Sequence, residues 1–394
     1  MKHIQRKTER RIAAALRLAL VAVLLLLQIA LVIALTQVLR QKMYIGYSVL
    51  EIIAVLCVVR IYMRAGSSTY KPGWIVLIML VPVVGLILYF LWNGNQVKKK
   101  LDLKPISMPP ETEEVKRRSQ SAQENLSARW PRWGRLAAYL RRQDMPLFEN
   151  TDMTYFPTGE EYLEDLLERM KTARRFIFLE YYIASEGEIW DRICTVLTER
   201  AAAGVEVNLI LDDFGSMMTM PPEEISALRK RGVWVQMFNP VHRYVNRLYF
   251  NYRDHRKIAV IDGDIAYTGG ANLADEYANL IVRFGYWKDC GIRLEGEGAW
   301  GLTRQFMYLW LRMGGELRES WDSYRPRTAP EGGEFCQPLV DGPDNNPVNT
   351  AEDTFQQLIS NANRYIWITT PYLAIDEPMI RTLCIAADLS LIHI

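Results

Sequence analysis

The chain has 394 residues, of which 49% are hydrophobic and 23% are charged, and its formal net charge is +2. This length allows two or three folded units of roughly 100–200 residues each, and the near-neutral charge argues against a nucleic-acid-binding surface. Five scattered cysteines without a CxxC pair and four dispersed histidines argue against a disulfide framework and a zinc site. We therefore expect free thiols and no metal.

Three apolar runs precede the more polar part of the chain, over residues 12–39, 45–63 and 74–92. A helix needs about 20 apolar residues to cross a bilayer. The first and third runs meet this length, and the second, with Glu51 and Arg60 near its ends, is marginal. No small-residue cleavage site follows the first run. We therefore predict a retained membrane anchor over residues 1–104 with two or three transmembrane helices, and buried helices of a soluble protein are the alternative.

The orientation of this anchor is ambiguous. Basic residues cluster before the first run, at positions 2–11, and after the third run, at positions 98–104. Both clusters favour the cytoplasmic side, which three full crossings cannot satisfy. Pro82 and Gly85 interrupt the third run and Glu51 weakens the second, so either run could be partial. We expect the rest of the chain to lie in the cytoplasm.

The polar part begins with a predicted linker over residues 105–150, in which the stretch PISMPPETEEVKRRSQSAQENLSARW shows no apolar periodicity. Strand-like and helix-like patterns then alternate. Strands are predicted over 152–158, 175–184, 205–213 and 232–238, and helices over 159–173, about 188–203 and 222–231. This alternation predicts an α/β sandwich with a largely internal sheet.

The opening unit of this region has a second copy. Residues 162–186 align with residues 351–377, so that the strand RFIFL at 175–179 matches RYIWI at 364–368, an offset of about 189 positions. Each copy consists of a helix, a basic residue (Arg175 or Arg364) and a hydrophobic strand. The pattern indicates a duplicated half-domain, although helix-then-strand units also share it by chance.

The stretch DHRKIAVIDGDIAYTGGAN, residues 254–272, is predicted to be a hairpin with strands over 256–262 and 264–270 and a turn at Gly263–Asp264. Because side chains alternate along a strand, His255 and Lys257 point to the same side. Gly269 and Gly270 remove side-chain bulk where the chain emerges. Asn272 then offers an amide at the same end of the hairpin.

These side chains suit a phosphodiester substrate. His255 can attack phosphorus and form a phospho-histidine, while Lys257 holds the non-bridging oxygens and Asn272 adds a neutral donor. The chemistry requires no cofactor. The alternative is a surface histidine in a basic run beside ordinary turn glycines. For Asp262, which is out of phase with His255, a structural role in capping backbone amides is favoured.

The pattern H-x-K, four residues, D, six residues, G-G-x-N is the motif of the phospholipase D superfamily, and its fixed positions are His255, Lys257, Asp262, Gly269, Gly270 and Asn272. The segments LILDDFGS (209–216), GYWKDCGIRLEG (285–296), DGPDNN (341–346) and ITTPYL (368–373) resemble bacterial cardiolipin synthases in particular. The resemblance implies a phospholipase D-like α/β sandwich behind an N-terminal anchor in the bacterial inner membrane. It also implies condensation of two phosphatidylglycerols into cardiolipin and glycerol.

The same resemblance implies roles for individual residues. His255, Lys257 and Asp262 would be catalytic, and Lys257, Gly270 and Asn272 would bind the substrate phosphate. Two acidic residues would support the site, Glu180 at a strand end and Asp289 as the carboxylate that orients the histidine. For Asp289, a surface position beside Lys288 is the equal alternative. Asp212 and Asp213 are either supporting residues or polar residues at a strand end.

The resembled family carries two such motifs, one per half, and this sequence has one. The repeat offset predicts the second near position 444, and His393 has no lysine two residues later. We therefore expect residues 151–330 to form one half-domain and residues 331–394 to begin a second, truncated one. A homo-oligomer could restore two histidines. We expect little or no activity from this polypeptide as written and synthase activity from its parent protein.

Two other functions compete with a phosphatidyltransferase. A phospholipase D or nuclease of the same fold would use water as the acceptor, although the apolar N-terminal region argues against a nuclease. The third possibility is a non-catalytic membrane protein that retains one of the two motifs that make up the site. The expected partners are phosphatidylglycerol and other membrane lipids, not nucleic acid.

Overall fold

The computed structural model describes residues 44–63, 71–92, 103–241, 252–283, 285–330, 332–342, 349–370 and 372–389, together with positions 30, 33, 34 and 37. The chain divides into two compact units. Residues 1–96 with 372–380 make the first unit, and residues 97–371 with 381–394 make the second.

The first unit includes the helices α1 (Tyr44–Met63), α2 (Lys71–Leu80) and α3 (Pro82–Trp92). The third apolar run is divided between α2 and α3 because Pro82 lacks an amide hydrogen and its ring crowds the preceding turn. Within the described ranges, no helix combines the length and apolar character that a bilayer crossing needs. The predicted transmembrane helices are therefore not confirmed, and the first run lies outside the described residues except at positions 30, 33, 34 and 37.

The second unit is built on one mixed sheet of eight strands in the order β4-β3-β2-β5-β6-β7-β1-β8. Strands β2, β3 and β4 run parallel, and the other neighbouring pairs are antiparallel. The strands are β1 (Phe148–Phe156), β2 (Phe176–Tyr181), β3 (Glu206–Asp212), β4 (Trp234–Phe238), β5 (Ile258–Ile261), β6 (Ile265–Gly269), β7 (Gly291–Gly296) and β8 (Glu334–Cys336).

Helices cover both faces of this sheet. The helices of the second unit are α4 (Glu113–Arg129), α5 (Pro131–Arg142), α6 (Gly159–Lys171), α7 (Glu188–Ala202), α8 (Asp213–Ser216), α9 (Pro222–Lys230), α10 (Ala299–Arg312) and α11 (Thr350–Ser360), and α12 (Glu377–Asp388) follows. Residues of α6, α7 and α9 share one core with one face of the sheet, and residues of α10 share another core with the opposite face. The predicted α/β sandwich is confirmed.

The segment predicted as a linker, residues 105–150, instead contains helices α4 and α5. Thr112 caps α4 by accepting a hydrogen bond from the Val115 amide, and α5 begins at Pro131. Only a few small or apolar residues of each helix are buried. Because the rest of α4 is charged or polar, the sequence shows little periodicity over a segment that is nonetheless folded.

The second copy of the repeat forms its helix, α11, but not its strand. Residues 364–370 make no strand, and Tyr365 and Trp367 are exposed. A strand requires a partner for its backbone amides and carbonyls. In the described part of the sheet both sides of β2 are occupied, by β3 and β5, whereas β-pairing in the described part of the second segment is confined to a single bridge at Ile366.

Candidate active site

The predicted hairpin is present, with β5 and β6 joined by a loop at residues 262–264. Asp262 and Gly263 have φ angles of 56° and 80°, so the left-handed bend falls one residue earlier than predicted. Aspartate and glycine are among the residues that tolerate this conformation. The hairpin places the residues just before β5 beside those just after β6.

His255 and Lys257 lie together at the start of β5, as predicted. The Lys257 Nζ is 3.2 Å from the His255 Nδ1 and donates a hydrogen bond of 2.8 Å to the His255 carbonyl oxygen. The ring of Tyr182, which follows β2, lies against the imidazole with 4.7 Å between ring centroids. The ends of β2 and β5 thus position the side chains of His255 and Lys257 next to each other.

Burial lowers the pKa of both groups. Loss of solvation and then the charge of Lys257 lower the pKa of His255 to about 4, although part of the side chain is exposed. Burial lowers the pKa of Lys257 to about 8, partly opposed by Asp254 and Asp289. At pH 7 the imidazole is therefore neutral, with a lone pair available for attack, and Lys257 remains mostly cationic.

Glu180, predicted to support the site, is fully buried and belongs to a cluster of buried charges behind His255. Its carboxylate lies 2.6 Å from the Arg256 Nε, which also donates to Asp254 Oδ1 at 2.8 Å. The alternation of His255, Arg256 and Lys257 sends the arginine into the protein between these two carboxylates. Arg256 and Asp254 were not among the predicted site residues, although their alternation with His255 and Lys257 was a usable signal.

Asp212 joins this cluster from the end of β3. It accepts hydrogen bonds from the Asp254 amide at 2.9 Å and from the Phe214 amide at 2.9 Å. Burial raises its pKa to about 6. Asp213 accepts instead from the Val241 amide at 2.7 Å. Asp212 thus fixes the segment that enters the motif.

Gly270 allows the loop after β6 to approach Asp289 closely. A Cβ atom at Gly270 would lie 2.3 Å from the Asp289 Oδ1, so any other residue would collide with it. Asp289 accepts hydrogen bonds from the Trp287 Nε1 at 3.1 Å and from the Cys290 amide at 2.8 Å. It acts on Lys257 through its charge, and no hydrogen bond joins it to His255 among the described residues. The predicted orientation of His255 by Asp289 stays a prediction.

Asn272 is buried at the same end of the hairpin, but its side chain is engaged with protein. Its Oδ1 accepts from the Ile183 amide at 3.0 Å, and its Nδ2 donates to the Tyr277 hydroxyl at 2.8 Å. In this conformation it ties the loop after β6 to the end of β2. To bind a substrate phosphate as predicted, the Asn272 side chain would have to release these partners and adopt another conformation.

Asp262 lies at the opposite end of β5 from His255, roughly 20 Å away at the rise of a strand. Its carboxylate accepts hydrogen bonds from the amides of Arg174, Arg175 and Phe176, at 2.7–3.2 Å. The structure therefore does not bring Asp262 together with His255. Its contacts are those of the structural alternative, in which it caps backbone amides.

A cavity of about 500 Å³ opens beside His255 and Lys257. Its walls come from β6, β7, α10, β8 and the segment after β8, and they include Ile292, Leu294, Leu302, Phe335 and Leu339. In the described residues, no group of three or more histidine, cysteine or acidic side chains is arranged to hold a metal ion. His3, His242 and His393 lie outside those residues.

The α/β fold and this motif define a phospholipase D-like protein. Residues 166–281 match the family model described as cardiolipin synthase, PLD-like domain, and residues 52–93 match one described as phospholipase D-nuclease N-terminal. A cardiolipin synthase from Halalkalibacterium halodurans is 30% identical over 349 residues, which are 87% of this chain and 68% of that protein. The chain belongs to the cardiolipin synthase family.

Two further relatives are similar over comparable lengths. The major cardiolipin synthase ClsA of Bacillus subtilis is 28% identical over 340 residues, 84% of this chain and 70% of that protein. An uncharacterized protein of Streptococcus mutans is 33% identical over 323 residues, 80% of this chain and 68% of that protein.

Proposed function

We propose that the protein is a cardiolipin synthase that transfers a phosphatidyl group from one phosphatidylglycerol to another and releases glycerol. The observation that carries the proposal is the pairing of a neutral His255 with a cationic Lys257 beside an apolar cavity. A neutral imidazole is the nucleophilic form, and the lysine supplies the positive charge that a phosphodiester needs.

The reaction proceeds as two displacements at phosphorus. An imidazole nitrogen of His255 forms a bond to phosphorus while the bond from phosphorus to the glycerol oxygen breaks, and that oxygen takes up a proton. A hydroxyl of the second phosphatidylglycerol then loses a proton and attacks phosphorus as the phosphorus–nitrogen bond breaks. Lys257 lies where it can hold the non-bridging oxygens in both steps.

The surroundings of His255 favour a lipid substrate. Cavities of 300–1,000 Å³ are typical of small-molecule sites, and this one has mainly apolar walls. The near-neutral charge of the chain does not favour a nucleic acid. We further propose that the protein is associated with the bacterial cell membrane through its apolar N-terminal runs, with the second unit in the cytoplasm.

Incubation of the purified protein with phosphatidylglycerol labelled in its head-group glycerol tests this function. Equal amounts of cardiolipin and labelled glycerol support the proposed transfer. Phosphatidic acid in place of cardiolipin would identify a hydrolase. The absence of any turnover would contradict both activities for this polypeptide and would support the expectation that it has little or no activity as written. The His255→Gln variant is the matched control, because it keeps the polar volume and removes the nucleophile.

A further inference from the structure

A loop beside the candidate site holds three apolar residues out in solvent. It leaves the 3-10 helix (Asp275–Ala278) at Asn279 and returns at Trp287. The Asn279 side chain closes its base, because Nδ2 donates to the Trp287 carbonyl at 2.9 Å and Oδ1 accepts from the Trp287 amide at 2.7 Å. The loop is therefore fixed where it begins and ends.

Beyond this base the chain exposes Leu280, Ile281 and Val282, at 46%, 48% and 82% of their maximal areas. Contact of adjacent apolar side chains with water is unfavourable. A single exposed apolar residue is common on protein surfaces, but a run of three on a fastened loop indicates a partner. We call residues 280–282 the apolar tip.

The base of this loop is connected to the site. Trp287 donates to the carboxylate of Asp289 at 3.1 Å and packs against the ring of Tyr277, whose hydroxyl receives a hydrogen bond from Asn272. The apolar tip therefore extends from the same end of the sheet at which His255 and Lys257 lie.

A second exposed apolar loop lies at this end of the sheet. Met217 and Met218, which follow β3, are 48% and 73% exposed. Thr219 beside them accepts a hydrogen bond from the Glu186 amide and donates to the Ala184 carbonyl, next to the segment that contacts the histidine. Methionines are flexible apolar side chains that suit irregular surfaces.

Basic residues flank the apolar tip. Arg283 follows it directly and is mostly exposed while bound to Glu276, and Lys288 stands just beyond the base of the loop. Apolar side chains with neighbouring cations are the composition of segments that enter the interface of an anionic bilayer, where the cations remain at the phosphate level.

We propose that the apolar tip inserts into the surface of an anionic phospholipid bilayer and so presents the His255 end of the sheet to lipid. This inference rests on the proposed function, in which both substrates are membrane lipids. It adds a second membrane contact, made by the catalytic unit, to that of the N-terminal runs.

A label on the tip tests the contact without reference to turnover. Val282→Cys is prepared in the full chain with the exposed Cys290 and Cys384 changed to serine, and it carries an environment-sensitive fluorophore. Cys57 is buried, and burial raises the pKa of Cys194 and Cys336 to about 12, which keeps these three thiols unreactive. The matched control is Trp234→Cys, because Trp234 is 55% exposed at the opposite end of the parallel strands.

Vesicles of phosphatidylglycerol that contain a quencher in their acyl region then distinguish the two positions. We expect a blue shift and quenching of the label at position 282 and neither at position 234. Equal responses at the two positions, or a label at 282 that stays in water, would overturn the proposal.

A kinetic comparison separates this inference from the proposed function. The double variant Ile281→Asp/Val282→Asp should lose roughly tenfold or more of its turnover on phosphatidylglycerol vesicles, since charged groups oppose insertion. Its turnover on dispersed short-chain phosphatidylglycerol should remain that of the unaltered protein. An equal effect on both substrates, or on neither, would contradict insertion. If the unaltered protein turns over neither substrate, the proposed function fails, and the label still decides the contact.

Discussion

The two copies of the helix–strand repeat have similar sequences and different structures. In the first copy, Phe176–Tyr181 is a fully buried central strand, and its end supports the candidate site. In the second copy the matching segment forms no strand and exposes Trp367 to 75%. Hydrophobic sequence supplies the tendency to form a strand, but neighbouring strands and covering helices supply the free energy.

The largest expected effect follows from the chemistry at the site that the strand of the first copy supports. His255→Ala should reduce phosphatidyl transfer by at least about 10³-fold, because it removes the nucleophile. Labelled cardiolipin formed per unit time measures the loss, and unchanged thermal unfolding shows that the fold is intact. Residual turnover near that of the unaltered protein would mean that the site lies elsewhere in the chain.

Matched substitutions in the two strands sharpen the comparison. Phe178 is fully buried and stacks on Phe306 with 4.7 Å between ring centroids, whereas its counterpart is Trp367. Phe178→Ala should lower the free energy of unfolding by about 3–5 kcal/mol through lost burial and a cavity. Trp367→Ala should change it by at most about 0.5 kcal/mol. Urea unfolding measures both, and similar losses would show that the second segment is also packed.

Replacement of the buried Arg256 should also show the difference in stability between a packed region and an exposed one. Arg256→Met leaves the carboxylates of Glu180 and Asp254 buried without their cation, and it should destabilise the fold by roughly 3 kcal/mol at neutral pH. Arg364→Met, at the exposed basic residue of the second copy, is the control and should be near neutral.

The pH dependence of the stability of Arg256→Met tests whether buried charge causes its loss of stability. Without Arg256 the negative charges of Glu180 and Asp254 stay buried and lose the cation that compensates them. The deficit should therefore shrink as the pH falls and the carboxylates become neutral. A deficit that is constant from pH 7 to pH 4 would indicate lost packing instead.

The smallest predicted effect is a shift in the pH profile. The pKa values of about 4 for His255 and about 8 for Lys257 predict that kcat/KM falls below about pH 4, where the imidazole is protonated, and above about pH 8, where the lysine loses its charge. Lys257→Arg keeps its charge, so the alkaline limb should move upward while the acid limb stays. An unchanged alkaline limb would assign that limb to another group.

The fold was predictable where the sequence pattern and the burial agree. The alternation over residues 152–238 gave the strands and helices of the sandwich to within a few residues, because each apolar stripe is covered. Helix α4 escaped prediction because Ser119 and Ala122 make up much of its buried surface, whereas α5 carries Trp133, Ala137 and Leu140 at helical spacing, a signal that the prediction of a linker overlooked. The strand predicted at 364–368 failed because its sequence carries no information about which neighbours are present.

The site was predictable in its centre and less so in its surroundings. His255 and Lys257 follow from alternation and from a specific motif. The inward turn of Arg256, the engagement of Asn272 with Tyr277 and the position of Asp289 depend on contacts between residues distant in sequence. Such contacts leave no short pattern in a single sequence.

The contacts of Asp262 explain how a residue far from the histidine can still govern it. By holding the amides that lead into β2, its carboxylate sets the alignment of β5 against β2. A slip of one residue in that alignment would exchange the two sides of β5. Arg256 would then occupy the side of the strand that His255 occupies now. By fixing the alignment of β5 against β2, Asp262 therefore determines where the nucleophile lies.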